Sequence, residues 1–199
     1  LQIARNPELL ALARESGCIS LFIGFESLNQ ENLDGARKTF MDTNELVDLI
    51  NRIQDHGIGI QGAFIFGFDH DEREVFKRTV DFVHETHIEL PTFSVLTPFP
   101  GTPLRKRLEE EGRIFDNHWP HYDMSHVVFK PKLMSPRELQ EGYLWAQKYC
   151  CSPRSILGRL LRGPRNHLFH FLMSNFVLRG AQMEIVNRLR DRQFHMEAS

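Results

Sequence analysis

Cysteine is scarce in this chain: Cys18, Cys150 and Cys151 are the three thiols in 199 residues. Their number and spacing exclude a disulfide framework, a zinc ribbon and a cluster-binding loop, and make a reducing, cytoplasmic setting the expectation. Long apolar runs are lacking too. Nothing approaches the roughly 18 to 20 residues that a membrane span needs, and there is no signal peptide with a charged start and an apolar middle. No G-x-x-x-x-G-K motif ending in Ser or Thr is present, so the usual phosphate loop is excluded. The chain begins at Leu1 rather than Met, inside a helical pattern, and so reads as the C-terminal part of a longer protein. Lysine is missing from the last 48 residues, which carry eight Arg and three acidic residues, while 16 basic and 23 acidic residues come before them. A body of −7 thus joins a tail of +5. Such a tail suits an acidic partner or an anionic lipid surface, or is the solvated face of terminal helices; nucleic acid is not expected. What is present is a core-forming composition, 41% hydrophobic and 25% charged, which excludes disorder and fibrous architectures.

Periodicity and capping residues divide the chain into alternating elements. Asn6-Pro7 opens a helix over about 6–16 that Gly17 ends. The run ISLFIGF at 19–25 has no polar face, the pattern of a strand covered on both sides. Asp42 or Thr43 caps a helix with the stripe Leu46, Leu49, Ile50 and Ile53, and a second strand covers 58–68. A helix at 72–87, a strand at 92–97 and a helix from Thr102 to Gly112 complete the series. Strands separated by helices require parallel, right-handed crossovers, so residues 1–113 form an α/β layer, open or closed. Composition changes at 114–199, which reads as a mostly helical domain. HVVF at 126–129 is a short strand candidate, Ser135 with Glu138 is a capping box, Ser152-Pro153 opens another helix, and a long helical region covers 166–192, either continuous or broken near Gly180.

In parallel α/β folds, ligands bind beyond the carboxyl ends of the strands. Those ends are Glu26-Ser27, Asp69 to Asp71, and Thr97 to Thr102. A carboxylate directly after an apolar strand, as at Glu26, needs donors: sugar hydroxyls, an ammonium group or a nearby Lys. The alternatives are a helix N-cap or an ion pair with Lys38. Gly57, Gly59, Gly62 and Gly67 in and around the second strand mark close backbone approach or a barrel bend. PFPGTP at 98–103 is either an anion-receiving helix start or only a stiff turn. His118, His121 and His126 do not have the spacing of a metal site, and no metal ligands are assigned. Cys150-Cys151 reads as packing, and the stripe Leu168, Phe171, Leu172, Met173 and Phe176 as a docking face.

The strand ends also carry a resemblance. IGFES at 23–27, Lys38, GAFIFGFDHD at 62–71, LTPFPGTPL at 96–104, EEGRI at 110–114, Trp119 and YDMSHVVFKP at 122–131 together resemble radical S-adenosylmethionine proteins of the cobalamin-binding class. The nearest group is the one with a helical C-terminal domain of unknown function, which includes hopanoid methylases. The resemblance implies a partial TIM-type barrel of six βα units, of which the three strands here are the fourth, fifth and sixth. It implies that Glu26 and Ser27 hold the ribose and amino acid part of S-adenosylmethionine, with Lys38 facing its carboxylate. It further implies that Phe64, Ile65, Phe66 and Gly67 pack beside adenine, while Asp69, Thr97, Pro98 and Phe99 line the substrate cleft. The 4Fe-4S cluster and cobalamin would belong to the intact parent, because the Cys-x3-Cys-x2-Cys loop and the cobalamin domain are not in these residues. The implied enzyme is a methyltransferase or performs a related radical step on a small-molecule or lipid-like substrate. The chain alone, without its N-terminal half, would be inactive. Two other readings remain: a non-catalytic assembly module using the basic, aromatic tail, and an unrelated phosphate-binding α/β enzyme.

Overall fold

A computed structural model describes residues 2–34, 43–161 and 167–196. Helix α1 (Pro7–Glu15) leads into strand β1 (Ser20–Glu26), and a short helix α2 (Gln30–Asp34) follows. Helix α3 (Thr43–Asp55), strand β2 (Gly59–Phe66), helix α4 (Glu74–Glu85), strand β3 (Leu90–Val95) and helix α5 (Pro103–Glu110) complete the alternation. The C-terminal third holds α6 (Pro136–Cys150), α7 (Pro153–Leu160) and α8 (Leu168–Met196). The described strands form one parallel sheet in the order β1-β2-β3. No described helix is long and apolar enough to cross a membrane.

The local starts follow their side chains. Asn6 accepts from the Leu9 amide, Thr102 from Arg105, and Ser152 from Ser155, each ahead of a Pro in the first turn. Ser135 and Glu138 satisfy each other's backbone donors in a full capping box. Two expectations are corrected and one alternative is decided. The third strand is 90–95 rather than 92–97, because Pro91 at the strand start costs no needed donor while Thr97 has already turned away. HVVF reaches only an isolated antiparallel bridge, Ile114 with Phe129. The last helix runs through Gly180 unbroken, since a single helical glycine costs only about 1 kcal/mol. The expected cap at Asp42 lies outside the described residues.

The sheet has two unlike faces. Ile23, Phe25, Ile60, Phe64, Phe66, Phe93 and Val95 are buried beneath the helices. Phe64 lies 5.1 Å from Phe25 and 6.3 Å from Phe82, and Phe66 lies 4.9 Å from Phe76 and 5.6 Å from Phe93, centroid to centroid. The alternate residues Phe22, Gly24, Gln61, Ala63, Ile65, Thr92 and Ser94 form an open face, on which Phe22 is 69% exposed. One hydrophobic cluster extends from Ala4 to Leu189, so strands and C-terminal helices share a core.

Two helical glycines predict substitutions of opposite sign. A Cβ on Gly142 in α6 would overlap the Phe76 ring, which is itself wedged against Phe66. Overpacking of roughly 1–3 kcal/mol then exceeds the helix-propensity gain of about 1 kcal/mol, so Gly142→Ala lowers stability. Gly158 in α7 is exposed and has nothing within 4 Å of a new Cβ, so Gly158→Ala raises stability by up to about 1 kcal/mol. Urea denaturation of the two variants reads the signs directly.

Candidate functional site

The carboxyl ends of the three strands form one rim. At its β1 corner the ladder slips: the pairing shifts between Gly24 and Glu26, and Glu26 stands opposite Phe64. Glu26 has φ +64, and the Ser27 amide bonds back to the Phe25 carbonyl at 2.9 Å. This closes a three-residue turn of the strained γ hand, with Glu26 at its apex. Such backbone costs on the order of 1–3 kcal/mol and persists only where surrounding bonds hold it. The N-cap alternative for Glu26 is overturned, because the oxygen at the start of α2 is that of Asn29, accepting from Glu31 at 3.1 Å.

The neighbouring bonds are side-chain bonds. Ser27 is buried, and its Oγ accepts from the Asn29 amide and from Asn32 Nδ2, each at 3.1 Å. Asn32 Nδ2 also donates to Asp71 Oδ1 at 2.7 Å, and Asn32 Oδ1 accepts from the His70 amide at 3.1 Å. Asp71 Oδ2 receives the Gly67 and Phe68 amides at 2.9 and 3.0 Å. Burial pushes the Asp71 carboxyl up, against the pull of these amide donors and Asn32. The role of Asn32 and Asp71 was not readable from the sequence, where they lie 39 residues apart.

The β2 and β3 corners place the other predicted residues. Ile65 lies on the open face opposite Ser94. Phe64 and Phe66 are each 1% exposed and turned into the helix layer, so their rings are not on the surface that Ile65 shares. Gly67, at φ +106, makes the turn out of β2, and a Cβ there would meet Leu139 at 2.8 Å. Thr97 is buried with its hydroxyl donated to the Val95 carbonyl at 2.9 Å; Pro98 is buried and Phe99 is exposed. Asp69 is clamped by three cations: Arg107, Arg113 at 2.8 Å and Lys132 at 3.3 Å. Burial alone would raise its pKa, but the Arg113 and Arg107 bonds outweigh that and hold it at about 2. Asp69 therefore ties the β2 turn to α5 and the loop beyond. Lys38 lies outside the described residues.

The far end of the open face is closed from the C-terminal helices. Phe171 of α8 sits where a side chain on Gly59 would stand, and packs with Leu90, Ile156 and Leu160. Part of the expected docking stripe is thus used within the chain, while Met173 and Phe176 stay exposed. His121 and His126 are bonded through Nδ1 to Asp116 at 2.6 Å and Asp123 at 2.9 Å. Among the described residues no group of three His, Cys, Asp or Glu could hold a metal ion. The thiols do not fit an iron–sulfur cluster. Cys150 is buried with its pKa pushed up to about 12, Cys151 is buried with its pKa raised, and Cys18, just ahead of β1, donates to the Ser20 carbonyl.

Comparison with known proteins agrees with this architecture. Residues 102–171 match a domain of unknown function, DUF4070. The chain is 37% identical over 178 residues to the bacteriochlorophyllide d C-12(1)-methyltransferase of Chlorobaculum tepidum, covering 88% of this chain and 39% of that protein. It is 32% identical over 114 residues to the hopanoid C-2 methylase of Rhodopseudomonas palustris, covering 57% of this chain and 22% of that protein. A solved structure of the radical S-adenosylmethionine methyltransferase TsrM from Kitasatospora setae, with cobalamin and a 4Fe-4S cluster bound, superimposes with a TM-score of 0.56 at 18% identity. That superposition covers 94% of this chain and 43% of that one. The chain therefore spans about two fifths or less of the length of these curated relatives. In sequence the chain is thus similar to a bacteriochlorophyllide methyltransferase and a hopanoid methylase, and in fold to a radical S-adenosylmethionine methyltransferase.

Proposed function

We propose that these residues supply one side of the S-adenosylmethionine and substrate cleft of a radical methyltransferase acting on a small-molecule or lipid-like substrate. The observation that carries this reading is the strained turn at Glu26, at the carboxyl rim of a parallel sheet and braced by buried bonds. Strain held in place at a rim is characteristic of ligand-binding backbone. Bound S-adenosylmethionine would supply the methyl group and the radical chemistry. Glu26 accepts ribose or ammonium donors. Ile65 presents apolar surface to the adenine, beside the small residues Ala63 and Gly24, and Phe99 borders the substrate side. The cluster and the cobalamin would be held by residues N-terminal to Leu1 of the same polypeptide, because the three thiols here do not fit a cluster. The 199 residues alone are expected to be inactive, and the intact polypeptide to be cytoplasmic.

The test is a calorimetric titration of the intact polypeptide with S-adenosylmethionine. Glu26→Ala removes a charge-assisted acceptor and is expected to weaken binding by roughly 1.5–3 kcal/mol, or about 10- to 150-fold. Unchanged affinity removes Glu26 from the site. An upstream reading frame without a Cys-x3-Cys-x2-Cys segment sinks the wider proposal. One feature favours a second reading, that of an assembly module: Phe169 and Val177 on α8 are 75% and 70% exposed. Tight capture of a protein or lipid partner by the intact polypeptide, together with no S-adenosylmethionine binding, would favour it.

A further inference from the structure

We propose that Asn32 and Asp71 are positioning residues whose paired side chains lock the β1–α2 turn to the β2–α4 turn and so hold Glu26 and Ser27 in the geometry that receives the ligand. The proposal rests on the reading of Glu26 and Ser27 as ligand contacts. Neither Asn32 nor Asp71 is available to a ligand itself, being 6% and 1% exposed.

The need for a lock follows from where the sheet stops. The β1–β2 ladder ends at Glu26 with Phe64. Beyond it, residues 27–32 and 67–71 are joined by side-chain bonds. Asn32 is the hub, with one amide nitrogen shared between Ser27 and Asp71 and its oxygen on the His70 amide. Asp71 anchors that hub to the backbone by receiving two consecutive amides. Asn29 adds a parallel strut, donating to the His70 carbonyl at 3.0 Å. The Ser27 oxygen held by Asn32 belongs to the residue whose amide closes the turn over Glu26. Every bond in the chain from Asp71 to Glu26 is therefore directional, and none is a packing contact that could be replaced by another apolar side chain.

Donor and acceptor logic supplies a sharp experiment. In Asp71→Asn, either orientation of the new amide sets an N–H against the Gly67 and Phe68 amides or against Asn32 Nδ2. In Asn32→Asp, two buried carboxylates face each other. The exchanged pair, Asn32→Asp with Asp71→Asn, restores complementarity. The new Asn oxygen accepts from Gly67 and Phe68, its nitrogen donates to the new Asp, and that Asp accepts from His70 and the Ser27 hydroxyl.

In the intact polypeptide each single variant is expected to lose roughly tenfold or more in S-adenosylmethionine affinity, with faster amide exchange at 26–32 and 67–71. The exchanged pair is expected to return to within about threefold of the parent affinity and to recover slow exchange. Single variants that bind like the parent overturn the proposal, as does an exchanged pair that melts like the parent yet binds about tenfold more weakly. The exchanged pair decides the matter even if a single variant fails to fold. Glu26→Ala run alongside separates the two ideas. If it binds normally, the reading of Glu26 fails; if it binds weakly while the Asn32 and Asp71 variants bind normally, only the lock fails.

Discussion

Arg159→Met is expected to cost this protein about 3–5 kcal/mol of stability, a large share of the roughly 5–15 kcal/mol that holds a domain together. Arg159 is 1% exposed, and its guanidinium donates to four acceptors at once. It reaches the Ile88 carbonyl before β3 at 3.1 Å, the Cys150 carbonyl at the end of α6 at 3.1 Å, Ser155 Oγ in α7 at 2.5 Å and Asn175 Oδ1 in α8 at 3.2 Å. Methionine replaces the apolar stem but not the guanidinium, so lost volume is the smaller part of the cost. The larger part comes from four acceptors left without this donor in a buried site, each costing about 1–3 kcal/mol before relaxation. Removing the buried charge returns part of this, because burial pulls the Arg159 pKa down and desolvation of the cation is itself unfavourable. Arg159→Lys is expected to lose less, since three ammonium protons still serve part of the set. Urea midpoints for the three proteins give the comparison. A loss below about 1 kcal/mol for Arg159→Met would mean that water or rotated side chains re-satisfy the acceptors.

The second large effect is a fall in stability as pH rises from about 4.5 to about 7. Glu89 is 1% exposed, and burial pushes its pKa up to about 7 despite donors from Ile60 at 2.7 Å and Gln54 at 3.4 Å and the charge of Arg159. A carboxyl that binds its proton more tightly when folded contributes stability fully present below its unfolded value near 4.5. That contribution is lost as pH rises through about 7. The loss is on the order of 3 kcal/mol and is complete once pH has passed the folded pKa. Asp71, also raised by burial, adds in the same direction. Denaturant midpoints should therefore fall between about pH 4.5 and pH 7 and level off above it, and Glu89→Gln should flatten most of that slope. An equal slope in the variant would assign the pH dependence elsewhere.

Arg159 and Glu89 show why the strand layer and the C-terminal helices share one core. Asn175 donates to the Glu89 carbonyl at 2.9 Å, and Ser155 is bonded to His84 of α4 at 3.0 Å, with burial and the Arg159 charge holding that imidazole below its usual pKa. The composition change near residue 113 is real in the sequence. It does not show that polar side chains from both sides of it meet in the interior.

Legibility of the site followed the same division. The rim itself was readable, because an apolar run that ends in Glu26, Asp69 or Thr97 has nowhere but a strand terminus to put them. The orientation of each side chain was less so. Phe64 and Phe66 alternate with Ile65, and a strand apolar on both faces does not reveal which parity meets the helices; the rings of Phe25, Phe76, Phe82 and Phe93 settle it. Asp69 read as a cleft residue, and only the fold brings Arg107, Arg113 and Lys132 to it from 38 or more residues away.

The sequence by itself determined the element order, the caps at Asn6, Thr102, Ser135 and Ser152, the parallel sheet and the location of its rim. Each of these depends on residues within a few positions of one another, where propensity, periodicity and side-chain hydrogen bonds act directly. The tertiary structure alone decided the strained turn at Glu26, the Asn32–Asp71 pair that spans two loops, and the buried Arg159 hub. These features depend on groups that become neighbours only after the chain has folded, when the absence of water makes every unpaired polar atom costly and so selects its partner.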